Sequence, residues 1–162
     1  MPFVEPRVEL TLMPEMTLLG FARRMPKPGP GQPNLIPAFW DEFFQAGLLE
    51  RLPESVIPGL LLGACWDESE DGSFQYMICV PVRTECPTPA GQTRLELPET
   101  RCARITAKGE LSLVILETFR WIHHDWLPAS GFQLAPGAHL EWYDHRAQGG
   151  ETAEVDLLIP IQ

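Results

Sequence analysis

Hydrophobic and polar residues alternate along several short segments of this chain, and this alternation predicts β-strands. Pro14 interrupts the first segment, and the pattern resumes at Thr17. Two apolar runs on either side of the acidic turn at residues 67–72 predict a β-hairpin, and a second hairpin is predicted near the end of the chain. The predicted strands span residues 8–13, 17–23, 59–66, 73–82, 93–97, 101–107, 138–144 and 153–161.

Two other segments repeat apolar residues every three or four positions, which predicts amphipathic helices. The first spans residues 38–49, with Pro37 in its first turn. Its apolar stripe consists of Trp40, Phe43, Phe44, Gly47 and Leu48. The second helix spans about residues 110–126 and is expected to end at Pro128. Its buried stripe consists of Leu111, Val114, Ile115, Thr118, Phe119 and Ile122.

The segment at residues 25–37 contains five prolines and two glycines, too many for a helix or a strand. It is either an ordinary connection or a mobile flap, and the sequence leaves both interpretations open.

The order strand–helix–strand–strand therefore occurs twice, in half-repeats at about residues 5–85 and 92–162. The halves share the pattern but little sequence. Two such units predict one α+β domain, an antiparallel sheet with both helices on one face. The natural place for a ligand cleft is the seam where the halves meet.

Composition narrows the classes of function. The chain has 162 residues and a net charge of −10, which disfavours direct binding to nucleic acids. The acidity is explained by solubility, by attraction of cationic ligands or by contact with a basic partner protein. No apolar run approaches the ~20 residues of a membrane span. The start of the chain, residues 1–5, does not resemble a signal peptide, so we expect a cytoplasmic protein.

Motifs for metal or covalent chemistry are weak. The four cysteines form no Cys-x-x-Cys pair and are interpreted as reduced residues that pack in the core. His123 and His124 precede Asp125, but neighbouring helical side chains diverge by ~100°, so no metal site is expected. No nucleophile or phosphate-loop motif is present, and no cofactor is expected.

The strongest candidate site lies in the strand at residues 138–144. His139, Glu141 and Tyr143 share one face of this strand because alternate residues point the same way. By itself the pattern fits a solvated glutamate as well as a carboxylate on a pocket floor. Tyr143 would add an aromatic wall for a flat cation, and His139 would orient Glu141 or lie exposed.

Two further aromatic residues have equally open interpretations. Tyr76 lies on an apolar strand face that either packs against the helices or faces the pocket. Trp40 lies on the stripe of the first helix and either packs in the core or projects an edge into the cleft.

Several short motifs, in their order along the chain, resemble the GyrI-like or effector-binding domain, which occurs alone and as the ligand-binding half of AraC- and MerR-type multidrug-responsive regulators. They are Thr17–Gly20, Phe39–Phe44, Asp71–Tyr76 with Cys79–Val82, Trp126–Phe132, Leu140–Tyr143 and Ile159–Ile161. The resemblance implies two strand–helix–strand–strand units around a central cleft. It also implies that Glu141 lies in that cleft among aromatic residues and recognises lipophilic cations.

The resemblance leaves three functions open. The leading hypothesis is binding of hydrophobic, often cationic or planar, small molecules for drug sensing or sequestration. Alternatively, Glu141 activates water in a hydrolase that opens cyclopropane-bearing alkylating compounds, as reported for similar stand-alone domains. In the third hypothesis, an acidic protein contacts a basic partner such as gyrase. No helix-turn-helix or basic region is present, so a regulatory role would require a separate DNA-binding regulator.

Overall fold

A computed structural model describes residues 3–162 and shows an α+β fold, as predicted. Met1 and Pro2, part of the stretch used to argue against a signal peptide, lie outside the described residues. The helices are α1 (Ile36–Gln45), α2 (Leu111–Trp121) and α3 (Leu127–Ser130). The strands are β1 (Arg7–Met13), β2 (Met16–Met25), β3 (Leu61–Trp66), β4 (Phe74–Val82), β5 (Thr93–Leu97), β6 (Thr100–Lys108), β7 (His139–Tyr143) and β8 (Glu154–Pro160).

The eight strands form one antiparallel sheet in the order β1-β6-β8-β7-β3-β4-β2-β5. The order read from one edge matches the order read from the other edge if each strand is replaced by its counterpart in the other half. The counterparts are β1 and β5, β6 and β2, β8 and β4, and β7 and β3. This indicates a pseudo-twofold axis. The central pair, β3 and β7, contributes one strand from each half. The antiparallel sheet and the two-unit arrangement are thus confirmed.

The first strand of each half pairs with the other half, a detail that the predicted repeat did not contain. β1 pairs with β6, and β5 pairs with β2. In a flat sheet, β1 and β2 would lie about 29 Å apart, at about 4.8 Å per strand. The two-residue connection Pro14-Glu15 spans at most about 11 Å between Met13 and Met16. The sheet therefore curls until its two sides approach each other.

The two longer helices, α1 and α2, pack on the same face of the sheet. Directly opposed residues share a face, and Ile78, Gly63, Glu141 and Leu157 form one such row across the four central strands. Helix α1 packs its buried phenylalanines in the same apolar cluster as Ile78, while α2 and the turn after it pack in the cluster that contains Leu157. The inner face of the curled sheet carries Leu18, Leu62, Met77, Cys79, Leu140 and Leu158, all buried.

The apolar stripe of the first helix differs from the predicted one. Phe39 and Phe43 are the buried residues of α1, whereas Phe44 is 52% exposed. The helix also ends at Gln45, because Gly47 takes up a left-handed conformation with φ 69°. Residues Leu48–Arg51 then form a separate 3₁₀ turn. The first helix is therefore shifted towards the N-terminus, and Phe39 replaces Phe44 at the buried interface.

The expectation that Pro128 ends the second helix is wrong. The helical path continues from α2 through a π turn at Ile122–Trp126 into α3. The π turn bonds the Leu127 N–H to the Ile122 carbonyl, so Pro128 falls in the first turn of α3, where its missing N–H is not needed. Gly131, with φ 79°, ends the path instead.

The proline-rich segment begins later than predicted because β2 extends to Met25. Reciprocal hydrogen bonds of 3.0 and 2.9 Å between the backbones of Gly29 and Gln32 close a tight turn within it. A gating role for this segment stays a prediction. Within residues 3–162, no helix is long and apolar enough to cross a membrane.

Candidate functional site

Glu141 lies at the pseudo-twofold axis. The turn at Pro14-Glu15 in the first half is equivalent to the turn at Pro98-Glu99 in the second half. When the equivalent residues are followed from these turns along the strand pairing, Gly63 in β3 is equivalent to Glu141 in β7. These two residues also pair directly with each other, so the axis passes between them. The seam between the halves, where the cleft was expected, thus runs through Glu141.

The Glu141 side chain is buried and hydrogen-bonded, with 4% of the residue exposed. The Tyr76 hydroxyl donates to Glu141 Oε1 at 2.5 Å, and the Tyr143 hydroxyl donates to the same atom at 2.9 Å. Trp40 Nε1 donates to the Tyr76 hydroxyl at 2.8 Å. Four of the five residues proposed from the sequence therefore meet in one network. Glu141 does not lie on a solvated face.

Aromatic rings from α1 cover this network. The ring centroids of Trp40 and Tyr143 lie 5.1 Å apart in an edge-to-face arrangement, and those of Trp40 and Phe44 lie 5.9 Å apart and are stacked. Phe39 meets the Tyr76 ring edge-on at 6.3 Å. Trp40 therefore packs with its neighbours on α1 and also contacts the polar network, while its position at the edge of a cleft stays a prediction.

Burial controls the electrostatics of the cluster. Desolvation raises the pKa of Glu141, and the hydrogen bonds from Tyr76 and Tyr143 offset part of this effect. Burial and the neighbouring carboxylate raise the pKa of both tyrosines well above the usual value, so both phenols stay protonated and donate. Within residues 3–162, no Lys, Arg or His nitrogen lies within 4.0 Å of the carboxylate. Its charge has no cationic partner there.

His139 lies on the same face but has no hydrogen bond to Glu141 in the part of the chain that the structure describes. Burial, with a smaller effect of His123, lowers the pKa of His139 to about 4. The imidazole is therefore neutral at physiological pH, and its proposed role in orienting Glu141 stays a prediction without a direct contact.

Two site residues were missed in the sequence. Gly63 faces the network, and a Cβ at this position would lie within 3 Å of the Tyr76 hydroxyl and of Glu141 Oε1. Cys65 pairs with Tyr76 on one side and with His139 on the other. Burial, then Glu141, raises the pKa of the Cys65 thiol, so it remains protonated. The isolated position of Gly63 inside the apolar strand β3 was the available signal, because a glycine inside a strand often marks a place where another group approaches the backbone closely.

Metal chemistry has no support in the described residues. His123 and His124 lie in the π turn, and residues 3–162 contain no group of three or more His, Cys, Asp or Glu side chains placed to hold a metal ion. All four cysteines are free thiols, with Cys79 and Cys102 buried.

The neutral state of His139 predicts an acid-sensitive fold. A histidine with a lowered folded-state pKa stabilises the protein above pH 6.5, and this contribution is lost as pH falls through about 4. The difference between the two pKa values corresponds to about 3 kcal/mol. We expect His139→Gln to flatten the pH dependence of the unfolding free energy between pH 6.5 and 4, measured by urea denaturation. An unchanged pH profile would contradict burial of a neutral imidazole, and His145→Gln is the control.

A known protein family matches nearly the whole chain. The sequence profile of a family described as Cass2, integron-associated effector binding protein, matches residues 9–161. The chain belongs to this family. The resemblance to effector-binding domains that the motifs indicated is thereby confirmed. The match covers both halves of the chain and includes every candidate site residue.

Individual proteins share sequence or fold with this chain. Over 106 residues the chain is 32% identical to the transcriptional regulator BrlR of Pseudomonas aeruginosa, a match that covers 64% of this chain but 38% of BrlR. The structure of SAV2435 bound to tetraphenylphosphonium has a TM-score of 0.80 at 19% identity, covering 96% of this chain and 94% of that one. An integron cassette protein from Vibrio cholerae has a TM-score of 0.69 at 14% identity, covering 96% and 95%. These two structures show a shared fold, and none of the three relatives supports a gyrase partner.

Proposed function

We propose that the protein binds hydrophobic, cationic or planar small molecules at the seam between its halves, with Glu141 as the polar anchor. The observation that carries the proposal is the buried carboxylate with two phenol donors and no cationic partner among the described residues. Such binding would serve drug sensing or sequestration.

Charge is expected to dominate the affinity. Burying an ionised carboxylate costs several kcal/mol, which neutral donors offset only in part. A ligand cation at about 4 Å would regain about 4 kcal/mol at an effective dielectric constant of about 20. Stacking on Tyr143, and on Trp40 once its indole has moved, would add a cation–π contribution of about 0.5–2 kcal/mol.

Access to the carboxylate requires movement of Trp40. Its indole contacts both Tyr76 and Tyr143 and lies between the network and the exposed Phe44. One hydrogen bond and ring contacts hold it in place, on a helix of 10 residues. We propose that the ligand displaces this indole and takes its place over Glu141.

Two relatives support this proposal. Tetraphenylphosphonium, the molecule in the SAV2435 structure, is a lipophilic monocation. BrlR is a transcriptional regulator, and this chain matches only part of it. In a sensing role, we propose that the protein acts together with a DNA-binding regulator.

Calorimetric titration with tetraphenylphosphonium tests the proposal, with triphenylphosphine oxide as an uncharged comparison that carries three of the four phenyl rings on phosphorus. We expect the cation to bind at least about tenfold more tightly, a difference of about 1.4 kcal/mol. Binding should also change tryptophan fluorescence because Trp40 moves. Equal affinities for the two compounds, or no binding of the cation, would remove the basis for Glu141 as an anchor.

Hydrolysis is a second candidate, favoured by the raised pKa of Glu141 beside two proton-donating phenols. A carboxylate of raised pKa is a better general base, and such a group contributes about 10²–10⁴-fold to rate. In this reaction, Glu141 would take a proton from water while the water oxygen bonds to a cyclopropane carbon. The electron pair of the broken carbon–carbon bond would pass to the rest of the compound, which would then take up the proton from Glu141. Mass spectrometry of such a compound after incubation separates the candidates. Water addition that Glu141→Gln abolishes indicates a hydrolase, whereas a stoichiometric complex that releases the compound unchanged indicates a binding protein.

A further inference from the structure

Gly63 and Glu141 occupy equivalent positions in the two halves and face each other across the axis. A side chain on both would compete for one space on the axis. The first half places no side chain there, whereas the second half places a carboxylate. The two halves thus differ at this pair of residues, and the site is asymmetric about the axis.

The backbone does not require glycine at residue 63. Gly63 is absent from the residues with positive φ, so alanine would be free of backbone strain. Gly20, in contrast, is required by the fold, because a Cβ there would collide with the backbone of Ile78 and Cys79. At Gly63, the three nearest atoms to an added Cβ all belong to the side chains of Tyr76 and Glu141.

We propose that Gly63 is a positioning residue for the ligand site. Its missing side chain leaves the space in which the Tyr76 hydroxyl reaches Glu141 Oε1 at 2.5 Å. This proposal rests on the proposed function, since it explains how the anchor is held for a ligand.

The arrangement also determines which oxygen meets the ligand. Tyr76 and Tyr143 both donate to Oε1, and Oε2 accepts no hydrogen bond among residues 3–162. The site therefore offers one free carboxylate oxygen. Single-point contact suits ammonium or phosphonium cations better than guanidinium groups, which prefer bidentate pairing with a carboxylate.

Gly63→Ala tests the proposal. We expect wild type to show a downfield hydroxyl proton for the hydrogen bond from Tyr76 to Glu141. In Gly63→Ala, the added methyl group should separate the two side chains and remove this signal from the NMR spectrum. Tetraphenylphosphonium affinity should fall at least about tenfold, while triphenylphosphine oxide affinity should change less than about twofold. Leu62→Val is the matched control, because Leu62 neighbours Gly63 on β3 but faces the opposite cluster. It should lower the melting temperature without changing the hydroxyl signal or the affinity ratio.

The double variant Gly63→Ala/Tyr76→Phe keeps the proposal testable if Gly63→Ala does not fold. Removing the hydroxyl restores space, so this variant should fold, and alanine should cost less affinity in the Tyr76→Phe background than in wild type. The proposal is overturned if Gly63→Ala keeps the hydroxyl signal and the cation preference. It is also overturned if Gly63→Ala weakens both ligands equally, or if neither variant folds.

The two proposals can fail separately. If wild type does not bind tetraphenylphosphonium, the proposed function fails, while the hydroxyl proton in Gly63→Ala still decides the role of Gly63. If wild type binds the cation but Gly63→Ala is unchanged in both measurements, only the positioning role fails.

Discussion

Glu141→Gln is expected to weaken binding of tetraphenylphosphonium about 30-fold or more and to leave triphenylphosphine oxide almost unaffected. Loss of one partner from a buried charge pair costs about 2–5 kcal/mol, and each 1.4 kcal/mol is tenfold in Kd. Glutamine has nearly the same shape and still accepts hydrogen bonds from Tyr76 and Tyr143, so the pocket should keep its form. Titration calorimetry measures both constants.

The same substitution should increase stability at neutral and alkaline pH. Because the folded-state pKa of Glu141 is raised, the folded protein holds this proton more tightly than the unfolded chain. Its contribution is complete below the unfolded-state pKa of 4.5 and is lost as pH rises through the folded-state pKa. Glu141→Gln has no carboxyl group to lose this proton, so its stability should not fall in the same way. The melting temperature of Glu141→Gln should therefore exceed that of wild type by an amount that increases with pH.

Glu99→Gln is the control for Glu141→Gln. Glu99 is exposed in the turn between β5 and β6, and its replacement makes the same change in net charge. It should alter neither the affinity ratio nor the pH dependence of stability. If Glu141→Gln binds tetraphenylphosphonium as wild type does, Glu141 is not the anchor.

Asp156→Asn is expected to destabilise the fold by about 3 kcal/mol. Asp156 is buried and accepts from Thr106 at 2.8 Å, and its Oδ2 lies 3.0 Å from Arg104 and 2.8 Å from Arg146. Breaking a buried ion pair from one side costs about 3–5 kcal/mol. The lower value applies because the two arginine side chains are 28% and 26% exposed. Urea denaturation measures the loss.

Asp144→Asn is the matched comparison for Asp156→Asn. Asp144 pairs with Arg146 at 2.9 Å, but its side chain is 24% exposed and Arg146 keeps Asp156. Its replacement should therefore cost less than about 1 kcal/mol. If the two substitutions lower the unfolding free energy equally, burial does not determine how much Asp156 contributes to stability.

The sequence predicted the class of fold because its strands and helices have clear periodicity. Residues 8–13 and 73–82 alternate or run apolar between turn residues, and the structure places β1 and β4 there within one residue. Helix ends were predicted less well. Gly47 is a local signal for the end of α1 that the predicted helix ran past. The π turn at Ile122–Trp126 has no comparable signal in the local pattern.

The local sequence pattern also did not determine which strands and helices become neighbours. The exchange of β1 and β5 between halves depends on pairing between residues far apart in sequence, such as Val8 with Ile105. Local alternation does not specify a partner strand, because every strand offers the same backbone groups. The burial of Phe39 was likewise not predictable from local pattern, because it depends on packing against Tyr76 of β4, a residue far away in sequence.

By itself, the sequence determined that Glu141, Tyr143 and His139 share a strand face, because side chains on a strand alternate with a period of two residues. It also supplied the motifs by which the effector-binding family was identified. Only the tertiary structure decided that Glu141 is buried and that Tyr76 and Trp40 complete its network. Only the structure showed that Gly63 leaves space for the hydrogen bond between Tyr76 and Glu141. The reason is physical: burial and hydrogen bonding depend on strand order and on helix placement, which arise from contacts between distant segments.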